Sequence, residues 1–294
     1  MKSSTQTFQE AAARPPASSW AACAERLQAA GFDLVQSLAV GSAKERSPLW
    51  HEPWATTLLP SWAQREAVHG LLIGNTRQLW EPFLEALRGD PALATHRHPL
   101  DAYTVSQVES AVLPLRADTD PPLELWVGYA HTLSPAPLPM TRLADTCGLG
   151  RLSPAGLVVH PEYGPWIALR AVVLVRAQTA QIEPPGAHPC QGCAAPCVVQ
   201  ARRARGLAAA RTHREPSLPL GPVFPQLSRR ARLWLAVRDV CPLGAAHRYS
   251  PAQISYHYDK DRGQLPAPEA LLPLAPRGVA GKVSKSFETS DELP

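Results

Sequence analysis

A chain of 294 residues can bury one large α/β or α+β domain, or two modest ones, so neither disulfides nor a structural metal is required to form a core. Its 32 prolines, about twice ordinary usage, predict many stiff loops, and a formal net charge of +4 is only slight evidence of an anionic partner. The amino terminus lacks an apolar run of signal-peptide length. The most apolar stretch, Gly156 to Val175, is interrupted by His160, Glu162 and Arg170, which argues against a membrane span and predicts a soluble, cytoplasmic protein.

Trp20, Cys23, Ala24 and Leu27 recur at helical spacing between Ser18 and Ala30, with Gly31 as a stop, and predict a surface helix. His69 to Ile73 reads as a short buried strand. After Gly74-Asn75, the residues Leu79, Phe83, Leu84 and Leu87 predict a helix that begins near Glu81, because Pro82 is tolerated only near a helix start, and that ends at Gly89. Thr104 and Gln107 have capping-box spacing ahead of Val108 and Val112, which predicts a second helix. Leu123 to Tyr129 reads as a strand, and Thr141 to Cys147 as a short helix closed by Gly148. Gly156 to His160 and Trp166 to Val175 read as two strands joined at Pro161-Glu162-Tyr163-Gly164, a hairpin, so part of the sheet is expected to be antiparallel.

The character changes near Gln181. The turn-rich run QIEPPGAHPCQGCAAPC leads into an arginine- and alanine-rich stretch from Arg202 to Arg214. Leu233 to Val240 and the segment Cys241-Pro242-Leu243-Gly244 follow, and then a helix with Ser250 as N-cap, Pro251 at its first position and Gln253 at its third. The tail from Pro273 reads as disordered.

Three of the six cysteines, Cys190, Cys193 and Cys197, have C-x2-C-x3-C spacing, and Cys241-Pro242 follows at a distance. Thiolates so close in sequence converge on one small centre, and soft sulfur selects zinc or an iron-sulfur cluster over hard cations. In a reducing compartment such spacing favours metal binding or redox work over disulfides. His188 and His247 lie near enough in sequence to replace Cys241 as a fourth ligand, and a three-cysteine, one-histidine set points to zinc. Cys23 and Cys147 read as packing residues.

The stretch ADTCGLGRLSPAGLVVHPEYGPWIALRAVVLV, from Ala144 to Val175, resembles the glycine-led hairpin of epoxyqueuosine reductases and the matching segment of cblC-type cobalamin-processing proteins. It is also similar to a group of bacterial ferredoxin-like (4Fe-4S) proteins related to both. GLLIGNTRQLWEPF upstream and CPLGAAHRYSPAQISYHY downstream resemble that group's other landmarks in the same order, so the likeness spans roughly residues 65 to 260.

The resemblance implies an α+β fold, a nitroreductase-like or cblC-like mixed sheet with flanking helices plus a small cysteine-containing ferredoxin-like appendage. It divides the chain into a flexible N-terminus (1–17), a core domain with a corrinoid pocket (18–180), the appendage (181–265) and a disordered tail (266–294). It implies a cobalamin-type ligand at Gly148, Leu149, Gly150, His160, Pro161, Tyr163, Gly164, Trp166 and Arg170. It favours one [4Fe-4S] cluster over zinc at Cys190, Cys193, Cys197 and Cys241. From the residues themselves, His160, Tyr163, Trp166 and Arg170 supply a donor, two aromatic faces and a fixed cation, suited to a flat macrocycle, and equally to a sheet edge with an ion pair. His131, near a strand end, is a further pocket candidate.

Departures from the family pattern bear on activity. Two cubane clusters need eight thiolates, and only four cysteines are suitably placed, so one cluster is the limit. The further cysteine expected after Cys197 is replaced by VVQARRARG, and the stretch HTLSPAPLPMTRLA before the glycine turn holds no Asp or Glu to act as proton donor. The expected function is thus a ferredoxin-like redox protein, an oxidoreductase in electron transfer with an electron-donor protein as partner. The alternative is a non-catalytic cobalamin carrier or zinc-stabilised relative. RNA binding through Arg202, Arg203, Arg205, Arg211 and Arg214 is a third reading, weakened because no aromatics are interleaved for base stacking. No P-loop and no nucleophile-elbow serine are present, which disfavours NTPase and hydrolase classes.

Overall fold

The computed structural model describes residues 17–40, 59–65, 68–117, 124–134, 136–176, 186–209 and 227–266. Arg211, Arg214, the change of character at Gln181 and most of both tails lie outside the described residues.

The strands β1 (Leu34–Val40), β2 (Val68–Asn75), β3 (Leu125–Tyr129) and β6 (Ala168–Val175) form one antiparallel sheet in the order β1-β2-β6-β3. The central strands β2 and β6 are nearly continuous apolar runs because both faces of the sheet are covered. Leu71, Ile73, Ala171, Val173 and Val175 face one side, where they share a core with Leu27 of helix α1 (Ala17–Ala29), Phe83 and Leu87 of α3 (Trp80–Gly89), and Val108 and Val112 of α5 (Pro99–Ala117). Leu72, Val172 and Leu174 face the other, packing with Trp62 of α2 (Ser61–Arg65) and Leu143 of α6 (Met140–Thr146). A short helix α4 (Pro91–Thr95), capped by Asp90 through the amides of Ala92 and Leu93, joins α3 to α5.

Two expectations are corrected. Thr104 does not open a helix: α5 begins at Pro99, and the buried Thr104 hydroxyl donates back to Leu100 O at 2.8 Å. The strands on either side of the Pro161–Gly164 turn do not form a hairpin. Instead β5 (Val158–Val159) pairs with β4 (Arg151–Leu152) in a separate two-stranded sheet, because both edges of β6 are occupied by β2 and β3. The turn itself is real, closed by His160 N–H to Gly164 O at 2.9 Å and Gly164 N–H to His160 O at 3.0 Å.

The carboxy-terminal helices are α7 (Cys197–Ala209), α8 (Arg229–Asp239) and α9 (Pro251–Asp259). The helix α8 buries two stripes. Ala231 and Leu235 join Trp166, Tyr249 and Ile254, while Leu233 and Val237 meet Ala201 and Ala204 of α7 and Ala155 of the β4–β5 connection. Apolar positions at i and i+4 define each stripe. Small residues on α7 let the helix pair approach closely. As read from the sequence, Ser250 caps α9 by accepting from Gln253 N–H at 3.2 Å.

Candidate metal centre

The two stripes of α8 decide where Cys241 goes. With one side on the core and the other on α7, the end of α8 delivers the chain to the mouth of the 186–197 loop. Cys190, Cys193, Cys197 and Cys241 all line one cavity of about 200 Å³, walled by Pro154, Ala155, Leu157, Val159, Pro165, Val198, Val237 and Leu243 among others. Cys193 is exposed, and the other three are partly buried. Burial pushes the Cys190 thiol above its ordinary pKa, and Cys197, Cys241 and Cys193 add to the rise by their charge. Cys241 is raised for the same reason, burial first, then Cys197 and Cys193.

As placed, no group of three or more His, Cys, Asp or Glu side chains among the described residues is arranged to hold a metal ion. A single tetrahedral zinc draws its thiolates to about 2.3 Å from one point. The cavity is too small for a drug-sized ligand, let alone a macrocycle, since such pockets run to about 300–1,000 Å³.

The loop is held locally. Gln191 N–H donates to His188 O at 3.0 Å and Cys193 N–H to Cys190 O at 3.2 Å, two consecutive turns. His188 accepts the Cys190 N–H on Nδ1 at 3.1 Å, which leaves Nε2 to carry the proton and donate to Leu152 O at 3.3 Å. Both ring nitrogens are engaged, so His188 does not serve as a ligand in this geometry. His247 packs edge-on against Tyr163 at 4.8 Å and is absent from the cavity wall. Neither histidine substitutes for Cys241.

Cys241 is fixed by contacts the sequence did not reveal. Arg238, on the last turn of α8, donates to Pro165 O at 2.8 Å, while its carbonyl accepts the Cys241 N–H at 3.1 Å. Arg248 Nε pairs with Asp239 Oδ1 at 3.1 Å on the far side of the turn. Gly164 (φ +56°) and Gly244 (φ +72°) stand back to back. A Cβ on Gly164 would overlap Leu243 O, and a Cβ on Gly244 would overlap Tyr163 O. Both combine a left-handed backbone with a backbone approach that leaves no room for a side chain. The Pro161–Gly164 turn is thereby clamped onto the Cys241 segment. The paired glycines of PEYG and CPLG are the sequence signal for it.

The remaining predicted site residues scatter around this clamp. His160 stacks on Tyr163 at 4.6 Å, and its Nδ1 accepts from the amides of Glu162 and Tyr163, so the ring holds the turn. Burial lowers its pKa. Trp166 is wholly buried in the α8–α9 core and presents no face to a ligand, a correction to its reading as pocket lining: its neighbours Tyr249 and Leu235 come from a distant part of the chain. Among the described residues, no carboxylate is in hydrogen-bond contact with Arg170. Its Nε donates to Oδ1 of the fully buried Asn75 at 2.7 Å, and burial works against its charge. Gly148 follows the end of α6, with Leu149 buried after it, and Gly150 packs against Val158 and Val159. None of these lines the cysteine cavity, yet Val159 and Pro165, which bracket the His160–Gly164 turn, do.

His131 lies elsewhere, on an open groove with His96, His98, Asp101 and Glu109, where its Nδ1 is 3.8 Å from Asp101 Oδ1. Cys23 and Cys147 are buried, with thiols pushed up to about 11 mainly by desolvation, as packing residues require. No helix among the described residues is long and apolar enough to cross a membrane.

The sequence matches no protein-family profile. It matches no curated protein either. Its fold has solved counterparts. The structure of a C. elegans B12-trafficking protein CblC, a human MMACHC homologue, aligns over 86% of this chain and 97% of its own, with a TM-score of 0.57 at 17% identity. An epoxyqueuosine reductase bound to an epoxyqueuosine-modified tRNA stem loop aligns over 78% of this chain and 66% of its own, with a TM-score of 0.45 at 14% identity. A further epoxyqueuosine reductase, from Bacillus subtilis, aligns over 60% and 50%, with a TM-score of 0.37 at 14% identity. The chain is thus similar in fold to CblC: a mixed α+β architecture with a four-stranded antiparallel sheet between helices.

Proposed function

We propose that this chain is a one-electron redox protein of CblC-like fold, in which Cys190, Cys193, Cys197 and Cys241 hold one [4Fe-4S] cluster next to a corrinoid site. The observation that carries the reading is the convergence of four thiols, from a loop, a helix start and a remote segment, on one apolar-walled cavity. A cluster supplies electrons singly, which suits one-electron reduction of a cobalt centre. The chain's own part is to hold the thiolates, exclude water with Val159, Leu157, Pro165 and Leu243, and keep Cys241 in place through the Gly164–Gly244 clamp. Cys197 opens α7, so negative charge gathered there lies at the favourable end of a helix dipole.

In this reading the corrinoid site adjoins the same turn. Gly148, Gly150, His160, Tyr163 and Arg170 border it, with Trp166 as a buried support. The CblC-like fold supports a corrinoid as ligand, and the segment 181–265 acts as the electron-carrying appendage. Hydroxocobalamin titrated into the protein is expected to bind at micromolar concentration with a change in its visible spectrum, and Tyr163→Ala is expected to weaken that binding. No spectral change at any micromolar protein concentration would remove the corrinoid site.

One observation favours a second reading, a non-catalytic corrinoid carrier. No carboxylate occurs between His131 and Ala144, where a proton donor is expected, and His160 is committed to its own turn. Under this reading the purified protein is colourless and contains one zinc per chain.

A further inference from the structure

Helix α7 runs outward from the cysteine cavity with a sidedness that the cluster does not explain. Its inner face, Cys197, Ala201 and Ala204, is packed against Leu233 and Val237. A second face follows the i, i+4, i+7 spacing of Val198, Arg202 and Arg205. Val198 lines the cavity, and Arg202 and Arg205 are exposed. Arg205 also reaches the β4–β5 connection, its Nη1 lying 4.0 Å from where a side chain on Gly156 would begin. The neighbouring Ser153, Pro154, Ala155 and Leu157 are cavity wall. The arginines thus extend from the rim of the centre itself.

Two further features set this surface apart from an ordinary solvated helix. No aspartate or glutamate occurs from 186 to 209, so no carboxylate of the loop or of α7 neutralises the arginines. Val199, next to them, is 62% exposed, one of three large apolar residues left open among the described residues. An apolar contact beside arginines with no carboxylate on their own segment, with the exposed Cys193 on the same loop, is the composition of a small, electrostatically steered interface.

We infer that this surface, centred on Val199, Arg202 and Arg205, docks an acidic one-electron carrier protein over the exposed edge of the four-cysteine centre. The inference rests on the redox reading above and names its partner. In the encounter one electron leaves the reduced carrier and one is accepted at the centre, with no bond made or broken. Transient electron-transfer contacts of this kind bury under about 1,200 Å² and depend on charge for their rate of association. A carrier protein is favoured over RNA because no aromatic residue lies among these arginines to stack on bases.

The test is direct binding of the full chain to two acidic probes, a flavodoxin and a plant-type ferredoxin, with an RNA stem-loop in parallel. Micromolar binding of at least one carrier is expected. It should weaken at least 10-fold in Arg202→Glu/Arg205→Glu and fall again between 50 and 500 mM salt, while Val199→Ser weakens it without altering the salt dependence. Binding of neither carrier, binding indifferent to charge reversal, or tighter charge-dependent binding of the RNA overturns the inference. Iron content keeps the two readings apart. A charge-reversed variant that retains wild-type iron but loses the carrier supports docking at this face. An iron-free wild type that still binds the carrier in a charge-dependent way leaves the docking surface standing and removes the redox role.

Discussion

Cys241 reaches the cavity because its neighbours have nowhere else to put it. Gly244 shares a backbone contact with Tyr163 that admits no side chain. Gly244→Ala is therefore expected to cost about 1–3 kcal/mol, the scale of a strained backbone position, and to lower bound metal. Chemical denaturation alongside metal analysis checks both effects. Cys190→Ser, Cys193→Ser, Cys197→Ser and Cys241→Ser should each lose metal, whereas Cys23→Ser should keep it, since its thiol is sealed in the core against Leu27. A Cys241→Ser variant with undiminished metal would remove that residue from the ligand set.

Protonation gives an independent residue-scale test. His257 is partly buried near Arg170, Lys260 and Arg238, and desolvation, followed by those cations, holds its pKa well below the ordinary value of 6.5. Because the unfolded chain takes up this proton more readily, the group contributes stability that is complete above pH 6.5 and is lost as pH falls below it. The unfolding midpoint should drop from pH 7 to pH 5, and His257→Gln should make that drop shallower. The cysteine spacing and the idle role of Cys23 and Cys147 were legible in the sequence because short-range spacing and helical periodicity are local. Trp166 was not, since a ring beside a turn looks like pocket lining until Leu235 and Tyr249 close over it.

Among the elements, α8 carries more of the architecture than its short sequence signal shows. It separates the core from α7, so a large cavity on its inner side should affect both. Trp166→Ala is expected to destabilise the protein by about 3–5 kcal/mol, as for other buried aromatics reduced to alanine, and to loosen the end of α8 that holds Cys241. Thermal unfolding measures the first effect, and the rate of metal loss to a chelator measures the second. The central strands were readable as apolar runs, and α9 from its cap. The supposed hairpin failed because two apolar runs around a turn look paired locally, while the edges of β6 were taken by β2 and β3 from elsewhere in the chain. The edge strand β1 was missed: Gln36 and Ser37 break up its apolar residues, and its partner β2 lies far along the chain.

For the molecule as a whole, the sheet and its flanking helices form an architecture similar in fold to CblC, and the thiol cavity meets the His160–Gly164 turn at Val159 and Pro165. The α+β class was legible because the order of elements along the chain encodes it. The union of Cys241 with the 190–197 loop was foreshadowed only by resemblance, since it depends on how α8 packs. Iron, acid-labile sulfide and zinc measured per chain on protein purified without oxygen, together with its visible spectrum, address the central claim most directly. The account predicts a brown protein with about four irons and four sulfides per chain; a colourless protein without iron would contradict it.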